Sequence, residues 1–179
     1  MGKELTYVET EGGPFILLPL ELKKAWKGSS DDAAEEDEAQ EDDDEEENDY
    51  ERAEEFLTTV GVLEVGKGEA LILGEVEVTA FQSTPDGGVF IQRVSGDDPA
   101  QVQAAVDKAV KSGKWKVTKH TLDVGKGKLA LFDSAYAYEE ADEDEILEVS
   151  LAPGSYTIET SRVKEGDVEA GLVRLRRDA

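Results

Sequence analysis

The sequence predicts an α+β fold: mostly antiparallel β-sheet, two principal helices and one disordered acidic insertion. Three observations lead there. Short β-rich runs such as "GVLEV", "EALIL" and "GVFIQRV" recur, and each is bounded by Gly- or Pro-containing turn sequences. Two segments, beginning at Asp49 and Pro99, switch to apolar residues at helical spacing. Finally, "GSSDDAAEEDEAQEDDDEEENDY", Gly28 to Tyr50, carries fourteen carboxylates between Asp31 and Asp49 and no Lys or Arg. Like charges at that density repel, and almost nothing in the stretch is apolar enough to bury. It is therefore expected to be disordered.

In chain order, "GGPFILLPLELKKAW" opens with a buried-type strand, Phe15 to Leu18. Pro19 is placed to begin a short helix on which Leu22 and Trp26 share a face. After the acidic tract, Asn48 and Glu51 have the spacing of a capping box. Tyr50, Ala53, Leu57 and Val60 then predict an amphipathic helix from Asp49 to about Val60. Strands follow, punctuated by "GKG" (Gly66–Gly68) and "PDGG" (Pro85–Gly88). The second helix is expected from Pro99 to about Lys111, capped by Asp98, with Val102, Val106, Ala109 and Val110 as its apolar stripe. Five more strand-like runs complete the chain: "KWKVTKH", "KLALFD", "EILEVSLA", "SYTIET" and "GLVRLRR". "LEVGKGEALIL" (Leu63–Leu73) is echoed by "LDVGKGKLALF" (Leu122–Phe132). The echo fits two related β-rich halves and equally fits two similar hairpins.

The 179 residues suit one domain over residues 1–179, with 29–48 as a disordered acidic loop. The formal net charge is −24, and without the fourteen tract carboxylates it is still −10. Such a surface repels nucleic acid and anionic membranes and attracts a basic partner. No cysteine is present, so disulfides and thiolate metal sites are excluded. The opening "MGKELTYVETEGGP" lacks an apolar signal core, and no run is long enough for a membrane span, so a cytoplasmic protein is expected.

Catalytic chemistry is thinly represented. His120 is the one histidine, which excludes a His-rich zinc site, and Ser134 lacks a nucleophile-elbow setting. The "GKG" turns lack the spacing of a phosphate loop. The tract lacks the ligand spacing of a calcium loop. "KSGKWKVTKH" is the only basic cluster containing an aromatic. As a strand it would point Lys114 and Lys116 outward and Trp115 and Val117 to the core. No metal or cofactor is implied, and the profile is that of a binding protein rather than an enzyme.

Several stretches in order resemble one family. They are "ETEGGPFILLP" with Trp26 after it, "DYERA" (Asp49–Ala53), "VGKGEALILG" (Val65–Gly74), "GGVFIQRV" (Gly87–Val94), "LFDSA" (Leu131–Ala135), "PGSY" (Pro153–Tyr156) and "LVRL" (Leu172–Leu175). The series resembles the immunity protein 21 family of bacterial polymorphic toxin systems. The resemblance implies a non-enzymatic antidote that binds and neutralises a cognate secreted toxin inside the producing cell. It leaves the toxin's chemistry open. The long acidic stretch between Trp26 and Asp49 departs from the family pattern. The acidic charge suits a basic toxin such as a nuclease. It also suits an acidic chaperone-like or regulatory module that holds a basic protein through the tract alone.

Candidate partner-binding residues lie at loops and strand ends. "SAYAYEEADEDE" offers Tyr136, Tyr138, Glu139 and Glu140, combining ring area with carboxylates for Arg or Lys. Asp49 and Arg52, three apart, either line a cleft or fix a helix entry. Arg93 and Asp133, both near strand ends, either pair across a sheet or line a cleft.

Overall fold

The computed structural model describes residues 7–10, 13–29, 49–56, 60–74, 78–96, 98–112, 114–125 and 127–178. The acidic tract expected to be disordered, from residue 30 to 48, lies outside the described residues. The chain begins with β1 (Phe15–Pro19), α1 (Asp49–Glu54), β2 (Val60–Val65), β3 (Gly68–Leu73), β4 (Val78–Thr84) and β5 (Gly87–Ser95). It continues through α2 (Pro99–Ser112), β6 (Lys116–Val124), β7 (Lys128–Asp133), β8 (Leu147–Ser150), β9 (Gly154–Glu165) and β10 (Val168–Arg177). Every pairing is antiparallel. The first sheet has the order β2-β3-β1-β7-β8 and the second β4-β5-β10-β9-β6. This is the mostly antiparallel α+β fold expected from the sequence.

The two sheets pack face to face, and each has a further layer on its outer side. Phe15 and Leu17 of β1 join Leu71, Leu131, Phe90, Ile158 and Val173 in the core between the sheets. Their neighbours Ile16 and Leu18 point the opposite way and pack with Ile72, Phe132, Trp26 of the following segment and Ala53 of α1. Successive residues of a strand point to opposite faces, so a strand covered on both sides reads as an unbroken apolar run. That is why "FILLP" is buried at all five positions. The outer side of the second sheet is covered by α2, whose Val102, Ala105 and Val106 meet Val89, Ile91, Ala170 and Leu172.

Helix α2 matches its expectation closely. Asp98 Oδ1 accepts from Ala100 N at 3.0 Å, Pro99 is the first residue, and the expected stripe faces the sheet. The first expected helix is shorter. It stops at Glu54, and Val60 instead begins β2, opposite Leu73. The Phe56 ring lies against Gly61, in space that a Cβ there would fill, so the chain folds back onto the sheet before the helical pattern is used up. Pro19 ends β1 rather than opening a helix, and only a single 3-10 turn, Leu20–Leu22, follows it. Leu22 and Trp26 nevertheless pack into the same cluster.

The internal echo corresponds to two different geometries. The first "GKG" forms the tight β2–β3 turn, with Gly66 at φ 57. The second lies between β6 and β7, which belong to different sheets. What the echoed segments share is that β3 and β7 both pair with β1, one on each side.

At the tip of the β2–β3 hairpin, Glu64, Glu69 and Asp123 gather in one recess. Burial raises the pKa of Glu69, with further upward pushes from Asp123 and Glu64. A carboxyl whose folded pKa exceeds its unfolded one stabilises while protonated, and that contribution is lost as pH rises through the folded pKa. Glu69→Gln is therefore expected to raise the melting temperature at neutral pH. The gain over the unmodified protein should shrink towards zero as pH falls through the carboxylate range; thermal melts across pH 3–7.5 measure it. Trp26→Ala, which empties the centre of the outer cluster, is expected to cost about 3–5 kcal/mol in denaturant unfolding.

Candidate functional site

Trp26 positions more than the core. It is fully buried, and its Nε1 donates to Ser134 O at 3.1 Å. Ser134 is itself buried and donates its hydroxyl to Pro14 O at 2.6 Å. The Ser29 backbone N–H and hydroxyl both donate to Ala135 O, each at 2.9 Å. Gly28 makes that approach possible: it sits at φ +62, and a Cβ there would lie 2.5 Å from Ala135 O. Hydrogen bonds to buried main chain thus fix the exit from β7.

The segment after it joins the paired strands β7 and β8. It is folded into two 3-10 turns, Tyr138–Glu140 and Glu143–Glu145. Asp142 steadies the second by accepting from Asp144 N at 3.3 Å. Between this segment and residues 9–10 lies a cavity of about 360 Å³. Five carboxylates line it, those of Glu9, Asp133, Glu140, Asp142 and Glu145, together with Tyr136 and, among the described residues, no Lys or Arg. Glu9 N donates to Glu145 Oε2 at 3.3 Å, which ties the N-terminal segment to the far wall. Asp133 is 5% exposed, and its Oδ1 accepts from Ala135 N at 2.9 Å. Ionised carboxylates only accept hydrogen bonds, so the recess favours a cationic, donor-rich group. Nearby, burial raises the Tyr50 phenol pKa, as do Glu54 and, more weakly, Asp133.

The structure separates the candidate residues. Tyr136 and Glu140 line the cavity, whereas Glu139 is exposed outside its lining. Tyr138 packs edge-on against Phe132 at 5.8 Å, with Lys23 Nζ 5.7 Å from its ring centre, so it works as part of the outer cluster. Asp49 and Arg52 fix the helix entry: they pair at 3.2 Å, Asp49 accepts from Lys27 N at 2.7 Å, and Arg52 donates to Glu64 O at 2.7 Å. Arg93 and Asp133 lie in different sheets, and Arg93 stacks on Tyr7 at 4.8 Å. Glu9, Asp142 and Glu145 carry no sequence signal beyond their charge; tertiary packing alone brings Glu9 to the other two.

The basic strand differs from its expectation. Trp115 does pack beside the α2 layer, under the guanidinium of Arg174 at 4.2 Å. Val117 is 58% exposed, because it lies outside the cluster that α2 covers. Opposite it, the buried Glu159 is held by Arg174 at 2.7 Å and Arg176 at 2.8 Å. His120 meets Phe56 edge-on at 6.2 Å. Among the described residues no group of side chains is arranged to hold a metal ion, and no helix is long and apolar enough to cross a membrane.

Fold and site together define an acidic two-sheet α+β protein with a carboxylate-lined recess suited to cationic groups. Residues 6–169 match the family model described as immunity protein 21, and the chain belongs to that family. Membership gives it an immunity role. No curated protein and no solved structure matches the chain.

Proposed function

We propose that this protein is a non-enzymatic antidote that neutralises a cognate polymorphic toxin by direct binding inside the producing cell. The toxin presents a basic surface, and a Lys or Arg side chain of that surface enters the recess beside Tyr136. Family membership supports the antidote role. The observation that carries the surface assignment is the cavity itself, in which five carboxylates converge with no basic residue among the described lining. Tyr136 adds ring area and a hydroxyl at low entropic cost. A nuclease is the natural kind of basic toxin, since its surface must attract phosphate. An acidic protein steers towards such a surface and occludes it. Specificity resides in the folded recess, because a run of like charges alone does not discriminate between basic proteins.

Co-expression with the cognate toxin tests the assignment. A Tyr136→Ala/Glu140→Gln/Glu145→Gln variant, shown to be folded by circular dichroism, is expected to lose protection and at least about 100-fold in affinity, or roughly 3 kcal/mol. A chain lacking residues 31–47 is expected still to protect. Loss of protection only in the second variant would make the protein an acidic holding module that works through its tract. Raising salt from 50 to 300 mM is expected to slow association far more than it speeds dissociation, as stopped-flow measurements would show.

A further inference from the structure

The basic cluster at the start of β6 belongs to a second cavity, and the antidote reading gives that cavity no role. It measures about 480 Å³ and opens where the inner face of the second sheet runs past the core. Residues two apart on a strand share a face. Phe90 and Val173 belong to the core between the sheets, so Gln92 and Gly171 continue that face beyond it. Ile158 likewise carries Thr160 and Arg162 onto it. Lys116 stands opposite Thr160, Lys114 precedes it, and Val60 of β2 lines the same space from the first sheet.

Three features of this cavity point to an anion. Acidic residues outnumber basic ones 43 to 19 in the chain, yet among the described residues the lining holds three cations and no carboxylate. Lys114 and Lys116 form no ion pair with any described residue. Arg162 is held at the rim by Glu169, which accepts from its Nη2 at 2.9 Å and Nε at 3.3 Å. The hydroxyls of Thr160 and Ser161 add further donors.

Gly171 also lines the cavity. Its φ is not among the positive ones, so the backbone does not demand glycine there. It lies between Gln92 and Arg162, in a row where Val173 and Leu175 fill the core. A bulge lies just before it, between Glu169 and Ala170. A glycine inside a strand frequently marks such a bulge or the close approach of a ligand. Here it gives the lining a position without a side chain.

From these residues we infer a binding site for a small organic oxyanion, a phosphorylated or carboxylated metabolite, with its charged group on Lys114 and Lys116 and its body against Val60 and Val173. The volume falls in the range of small-molecule sites and far exceeds a bare phosphate ion. The protein's net negative charge is screened beyond about 8 Å at physiological salt, so the local cations govern binding.

Titration calorimetry of the full chain at 150 mM salt tests the site, with inorganic phosphate, adenosine monophosphate and citrate as probes. At least one of the two organic anions is expected to bind with a submillimolar Kd, more tightly than inorganic phosphate, and the stronger of them identifies the source of the oxyanion. The Lys114→Gln/Lys116→Gln variant changes only exposed side chains and is expected to weaken that binding at least tenfold while leaving toxin protection intact. Gly171→Val, if folded by circular dichroism, is expected to abolish it. Absence of binding by all three probes overturns the inference. So does binding that the lysine variant retains at full strength, or that a folded Gly171→Val variant retains; if Gly171→Val does not fold, the lysine variant decides.

Discussion

The double burial of β1 is the constraint on which the rest of the molecule depends. Its residues alternate between the core shared by the two sheets and the outer cluster around Trp26. Neither face can meet water without a large loss, at about 25 cal/mol for each Å² of apolar surface exposed. The second sheet must therefore cover one side, and α1, the turn after β1 and the β7–β8 connection must cover the other. Since β3 and β7 flank β1, any displacement of that strand would disturb the whole first sheet.

The same packing builds the acidic recess. Trp26 fills the outer cluster and also reaches Ser134 O at the end of β7, so one side chain links the hydrophobic layer to the wall of the recess. Asp133 is held at the strand end by a bond from Ala135 N, the two 3-10 turns carry Glu140 and Glu145, and Asp142 caps the second. Fixed backbone thus orients these carboxylates. Such preorganisation lowers the entropy lost on binding.

Charge is divided across the fold. The recess beside Tyr136 gathers carboxylates, while the cavity beside Gly171 gathers cations. In a chain of net charge −24, the second is the less expected arrangement. It arises because Lys114, just before β6, and Lys116 and Arg162, on the neighbouring strands β6 and β9, meet beyond the point where the apolar core ends.

The sequence by itself determined the α+β class, the strands, the capped helix α2 and the burial of "FILLP", because these follow from local periodicity and turn chemistry. It also placed Tyr136 and Glu140 in a candidate surface, on composition alone. Tertiary structure decided the rest. Pairing of Val60 with Leu73 ended α1 before its apolar spacing did, since sheet contacts outweigh helix propensity over so short a segment. Tyr138 packs on Phe132 although it stands two residues from Tyr136, because the 3-10 turn rotates one ring towards the sheet and leaves the other at the recess. Val117 was left exposed by the limited reach of α2. Glu9 joined Glu145 across 136 residues of chain, a proximity that no local pattern encodes. Local propensity is written residue by residue, whereas a binding recess is a meeting of distant segments, and only the packed sheets bring them together.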